Sequence, residues 1–78
     1  MDLKKEGKNF EKLIKDHKMT AFQFIRKTDT SSAGIYKYTN GRCDLRNLQV
    51  CTLVKFCKVL EISIDEFYRK CGIDLYNE

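Results

Sequence analysis

Apolar positions recur at helical spacing along almost the whole chain. Phe10, Leu13, Ile14 and His17 fall at i, i+3, i+4 and i+7 with lysines on the other face, which predicts an amphipathic helix over about residues 3–17. Thr20 with Gln23 three positions on forms a capping-box pattern and opens a short helix over 20–27 that buries Phe24 and Ile25. Thr28-Asp29-Thr30-Ser31-Ser32 is a cluster of turn and cap residues, and Asp29 tolerates a left-handed backbone better than most residues. A third helix over 31–39 turns Ile35 and Tyr38 inward, and Asn40-Gly41 closes it. Asn-Gly also nominates a hairpin, but no alternating strand pattern flanks it. Residues 42–49 read as a loop anchored by Leu45 and Leu48. Val50, Leu53, Phe56, Cys57 and Leu60 mark a helix over 49–60. Ser63-Ile64-Asp65-Glu66 is a second capping box opening a helix over 63–71, with Phe67 and Cys71 inward, Gly72 as its stop and 72–78 as a tail. The expectation is an all-α fold of five short helices in one domain spanning 1–78.

Composition narrows what such a bundle can do. At 78 residues folding buries only about 60–65% of the unfolded surface, which supports one core but leaves little for an elaborate catalytic cleft. A hydrophobic fraction of 42% is too high for a disordered tail. No apolar run approaches the roughly 20 residues needed to span a bilayer, and the start Met1-Asp2-Leu3-Lys4-Lys5-Glu6 is unlike a secretory signal. A cytoplasmic protein without membrane contact is therefore expected. No Ser/His/Asp set, phosphate-cradling glycine loop or metal-spaced ligand group is present, so neither an enzyme nor a cofactor is expected.

Charge and cysteine content sharpen the picture in opposite directions. Residues 1–27 carry eight cations and four acids, residues 28–49 sum to +1, and residues 50–78 to −1. A basic front half and a near-neutral back half suit a polyanion bound on one face. Cys43, Cys51, Cys57 and Cys71 lack any C-x-x-C pair and have only His17 for company, so reduced thiols rather than a metal site or disulfide framework are expected.

The second and third helices, joined by a tight turn, carry the chemistry. A B-DNA major groove about 12 Å wide accepts one helix, and bases are read by that helix's first residues. With Ile35 and Tyr38 committed to the core, Ser31, Ser32, Ala33, Tyr36 and Lys37 are the outward positions. The backbone N–H groups that open these helices, near Thr20 and Ser32, suit phosphate oxygens.

The stretch MTAFQFIRKTDTSSAGIYKYTNG, Met19 to Gly41, resembles without a gap the helix-turn-helix of the lambda-repressor and Cro class, also called the xenobiotic-response-element family. The stretch TLVKFCKVLEISIDEF, Thr52 to Phe67, is similar to that family's TLxKIAKALGVSLDEL ending. The resemblance covers about residues 10–70 and implies a compact five-helix lambda-repressor-like domain. It also implies sequence-specific binding of double-stranded DNA by a transcriptional regulator of bacterial or phage type. Carried over residue by residue, Ser32, Ala33 and Tyr36 would meet bases, with Lys37 at a base or phosphate, while Thr20, Ser31, Asn40 and Arg42 would hold the backbone. No arginine on this face reads guanine bidentately. Ala21, Ile25 and Asp29 depart from the family's usual glutamine, small residue and glycine, and 42–49 is about three residues longer than common.

Such regulators read two half-sites as a two-fold dimer, so a homodimer on a palindromic operator is expected. Phe67, Tyr68, Ile73, Leu75 and Tyr76 offer a self-association surface in the less charged half. Phe22 stands outward on the second helix, either against the 42–49 loop or as part of a partner surface; Arg46 reads as a solvated loop cation, and His17 as a packing residue. The competing reading, favoured by Ala21, the missing arginine and Asp74-Leu75-Tyr76, is a protein-interaction module such as an antitoxin or anti-repressor-like partner.

Overall fold

Every helix but one begins behind a side-chain oxygen that caps it. The computed structural model describes residues 2–75, and its helices are α1 (Leu3–Asp16), α2 (Ala21–Thr28), α3 (Ser32–Thr39), α4 (Val50–Leu60) and α5 (Ile64–Lys70). Asp2, Thr20, Ser31 and Ser63 accept bonds from the N–H groups of Lys5, Gln23, Gly34 and Glu66, at 3.0–3.1 Å. The spans expected from periodicity open on Thr20, Ser31, Gln49 and Ser63. These residues have extended dihedrals and stand just outside the helices, as caps do. The Thr20 box is reciprocal, Gln23 Oε1 accepting from the Thr20 N–H at 3.0 Å; of the Ser63 box only the serine half forms.

Chain reversals follow the same local logic. Asp29 and Glu61 end α2 and α4 in the left-handed region, with φ of 54° and 57°. Gly41 and Gly72 take φ of 82° and 85° just after α3 and α5, a region where glycine alone carries no Cβ penalty. Among residues 42–49, Leu45–Asn47 forms a single 3-10 turn capped by Asp44, and both Leu45 and Leu48 are buried.

Four phenylalanines, one from each helix except α3, meet at the centre. Phe10 lies 5.8 Å from Phe24, 5.6 Å from Phe56 and 5.6 Å from Phe67 between ring centroids, and Phe24 and Phe56 are 5.1 Å apart. Edge-to-face and offset contacts of this kind contribute about 0.5–1.5 kcal/mol per pair beyond area burial. Leu13, Ile14, Ile25, Ile35, Leu53, Leu60 and Cys71 close around them. The fifth phenylalanine, Phe22, is 61% exposed, with the Arg26 guanidinium 5.8 Å from its ring centroid, so the 42–49 loop does not cover it.

Three other expectations need correction. Val50 keeps the helical phase of α4 but is 72% exposed, while Leu53, one turn on, is buried. Phe67, Tyr68 and Ile73 are buried in the monomer's own core, Tyr68 donating its hydroxyl to the Leu45 carbonyl at 3.0 Å, and so cannot form a self-association surface. Leu75 is exposed, and Tyr76 lies outside the described residues. Arg46, although exposed, is not a free loop cation, since it bonds both carboxylate oxygens of the buried Glu6 and one of Asp44. His17 is half-buried at the end of α1, its Nδ1 2.9 Å from the Leu13 carbonyl oxygen.

Candidate nucleic-acid interface

Three residues separate α2 from α3, and each has a defined task. Asp29 turns the chain, and the N–H groups of Asp29 and Thr30 return to the carbonyls of Arg26 and Ile25 at 3.3 and 3.1 Å, which satisfies the end of α2. Ser31 then caps α3. Beneath the turn, buried Thr28 donates its hydroxyl to the Phe24 carbonyl at 2.8 Å, with the Thr30 hydroxyl 2.9 Å away.

Ile35 ties α3 to the core from its inner side, fully buried, with Tyr38 half-buried beside it. The far end of α3 is pressed against α1 at Gly7. A Cβ there would fall inside contact distance of the Tyr38 carbonyl oxygen and 2.6 Å from that of Thr39. One turn further, a Cβ on Gly41 would lie 2.9 Å from the Lys4 Cα. The sequence reading missed Gly7. Its signal was a glycine three residues before Phe10 on the apolar face of an otherwise regular helix.

With its inner side so occupied, α3 presents Ser32, Ala33, Tyr36 and Lys37 to solvent; spacings of one, four and five place them on one face. Tyr36 is 47% exposed, and Lys37 Nζ rests 5.4 Å from the Tyr38 ring centroid. Thr20, Ser31, Asn40 and Arg42 are exposed as well. Thr20 and Ser31 spend their hydroxyl oxygens as acceptors within their own helices but keep the O–H as a donor. Asn40 Oδ1 accepts the Arg42 N–H at 3.0 Å, which leaves the Asn40 amide N–H groups for an outside acceptor.

A cleft not foreseen from the sequence runs beside this face. Thr30, Ser31, Lys37, Asn47, Gln49 and Thr52 are among the residues that line it, between α3 and the start of α4. Gln49 provides no side-chain cap, so the opening N–H groups of α4 remain without an intrahelical partner at the cleft's rim. The only sequence signal was a glutamine where the other helices carry Asp, Thr or Ser.

The thiols stand apart from this surface. Burial pushes the Cys71 thiol up to about 12, with smaller contributions from Glu6 and Cys57, and burial also raises Cys57. Among the described residues no three His, Cys, Asp or Glu side chains gather in a metal-holding group. No helix among them is long and apolar enough to cross a membrane.

A family model for the Cro/C1-type HTH DNA-binding domain matches residues 9–69, a stretch running from within α1 to within α5. No curated protein matches the chain.

Proposed function

This chain belongs to the Cro/C1-type helix-turn-helix family and is a DNA-binding regulator; from that premise we propose that it is a sequence-specific transcriptional regulator of bacterial or phage type that binds double-stranded DNA. In this reading the single helix-turn-helix unit inserts α3 into the major groove. Ser32, Ala33 and Tyr36 meet base edges, Lys37 lies at a base or a phosphate, and Thr20, Ser31, Asn40 and Arg42 hold phosphates on either side. The observation that carries the reading is the outward set on α3: four side chains on one face of a helix whose other contacts are satisfied by Ile35, Tyr38 and the Gly7 approach. Serine hydroxyls serve several bases and Ala33 suits a thymine methyl, so the preferred site lacks a dominant guanine contact. The uncapped start of α4 and Lys37 add phosphate donors from the cleft side.

One helix in one groove seldom supplies enough affinity. The chain therefore acts as a homodimer on a palindromic operator, with half-sites about 34–36 Å apart, in the cytoplasm. Selection of bound sequences from random duplexes tests this. A recurring inverted repeat supports it, and recovery of no preferred sequence overturns it. The second reading, a protein-interaction module of the antitoxin or anti-repressor kind, is favoured by one observation, the exposed Phe22 ring beside Arg26. It predicts selection without a motif and weak, non-specific DNA binding.

A further inference from the structure

Gly41 stands between Asn40 and Arg42 with φ of 82°, and the first turn of α1 lies directly against it. A Cβ on Gly41 would fall 2.9 Å from the backbone nitrogen, the Cα and the Cγ of Lys4. Both φ and space therefore reserve the position for glycine, and the stem of Lys4 lies on the corner. The approach is firmly held, because the next residues of α1 are seated at Gly7 on the Tyr38 and Thr39 carbonyls. Lys4, Asn40 and Arg42 are all exposed. Folding thus brings a lysine from the start of the chain to the two residues that flank Gly41.

The acids nearest in sequence to these residues are already committed. Asp2 caps α1 through the Lys5 N–H, Glu6 holds both terminal nitrogens of Arg46, and Asp44 bonds the same guanidinium. Glu11 pairs with Lys15. Among the described residues neither the Lys4 ammonium nor the Arg42 guanidinium has an ion-pair partner. Asn40 keeps its amide N–H groups, since its Oδ1 accepts the Arg42 N–H. Two cations and an amide donor therefore share one corner with no acid left to neutralise them.

We propose that Lys4 is a further DNA-backbone residue, holding one phosphate at the end of α3 together with Asn40 and Arg42. The proposal rests on the DNA-binding reading and carries its footprint beyond the helix-turn-helix onto α1. The donors select the occupant. A phosphate is an anion with enough acceptor oxygens for an ammonium, a guanidinium and an amide at once, and phosphates border the groove that α3 enters. Lys4 reads no base, so it adds affinity and register at every sequence.

Fluorescence anisotropy of the full chain on its selected duplex, across a salt series, tests the contact. Lys4→Gln removes the charge and keeps most of the stem. It should lower the slope of log affinity against log salt by about 0.9 and leave the preferred sequence unchanged. Lys4→Arg should keep the parent's slope. Lys12→Gln removes the same charge from the α5 side of α1, where Lys12 and Lys70 line one hollow, and should also keep the slope. Thermal melts should show all three variants folded like the parent. Duplexes with one neutral methylphosphonate linkage, moved along each strand, then locate the phosphate: at one position the neutral linkage should cost the parent more affinity than it costs Lys4→Gln. A parent-like slope in Lys4→Gln, an equal loss in Lys12→Gln, or equal costs at every linkage would each overturn the contact. A parent that selects no sequence would strike the DNA-binding reading and this contact with it, whereas a parent that selects a motif which Lys4→Gln binds identically would strike the contact alone.

Discussion

Arg46 clamps Glu6 across 40 residues of sequence, its two terminal nitrogens 2.9 and 2.8 Å from the two carboxylate oxygens. The same guanidinium also reaches Asp44 at 2.8 Å. Bonding to Glu6 first, then to Asp44, holds the Arg46 proton above its ordinary value. One side chain thus fastens the segment between α3 and α4 to the first turn of α1.

Arg46→Ala should destabilise the fold by about 1–3 kcal/mol in urea titration, because the buried Glu6 carboxylate loses both its bonds. Arg46→Lys should recover only part of this, since a single ammonium cannot reproduce the fork. Equal stability of Arg46→Ala and the parent would mean that water fully replaces the clamp.

Acid should loosen the same joint. Burial raises the Asp44 carboxyl, but the Arg46 N–H, guanidinium bond and charge together outweigh that and bring it below 3.8. A lowered native value contributes stability that is present above pH 3.8 and lost as pH falls through that lowered value. Protection of the amides of residues 42–49, corrected for their intrinsic exchange rate, should therefore fall below about pH 4, ahead of global unfolding, and Asp44→Asn should remove that step.

Gly7→Ala reverses the usual preference of a helix interior. Alanine is normally better than glycine there by about 1 kcal/mol. Here its methyl would strike the Tyr38 and Thr39 carbonyls, so a loss of roughly 1–3 kcal/mol is expected in thermal melts. DNA affinity should fall more than stability alone accounts for, because the methyl tilts α3 away from α1.

Lys37→Ala should weaken binding to all duplexes alike and reduce the salt slope by about 0.9 log units per tenfold change in salt. Tyr36→Ala should instead relax preference at one base position and leave that slope unchanged. Fluorescence anisotropy across a salt series separates the two; parent-like behaviour of both would remove this pair from the reading face.

Alkaline pH should expose the cost of burying Cys71. Its native thiol titrates at about 12 against 9.0 when unburied, so stability is complete below pH 9 and is lost as pH rises toward 12. Cys71→Ala should flatten part of that loss while costing about 1 kcal/mol at neutral pH through the cavity it leaves. Thiol reagents at pH 8 should label exposed Cys51 quickly and spare Cys57 and Cys71 until unfolding.

Local physics made much of this molecule legible in sequence. Thr20 with Gln23, Ser31, Asp29 and Gly41 act within four residues of where they stand, and Ile35 shows its role through helical phase. What stayed hidden depends on distant partners. Glu6 with Arg46, and Gly7 with Tyr38, meet only after the chain has folded, and no spacing rule anticipates either. Val50 obeys the period but stays exposed; Phe67 shows its inward phase in sequence, while Tyr68 looks like a surface aromatic until Leu45 is set beside it. The outward placement of Ser32, Ala33, Tyr36 and Lys37 could be read from phase. The cleft beside α4 could not, since two separate segments build it.

None of the side chains of Ser32, Ala33, Tyr36 and Lys37 makes a hydrogen bond within the described chain, while the frame behind them is fastened by Gly7, Ile35 and the Arg46 clamp. Exchanging any of the four should therefore leave the fold's stability within about 0.5 kcal/mol of the parent. In physical terms the outer face of α3 is decoupled from the fold: whatever contacts it makes, it can be rewritten without disturbing the frame that holds it.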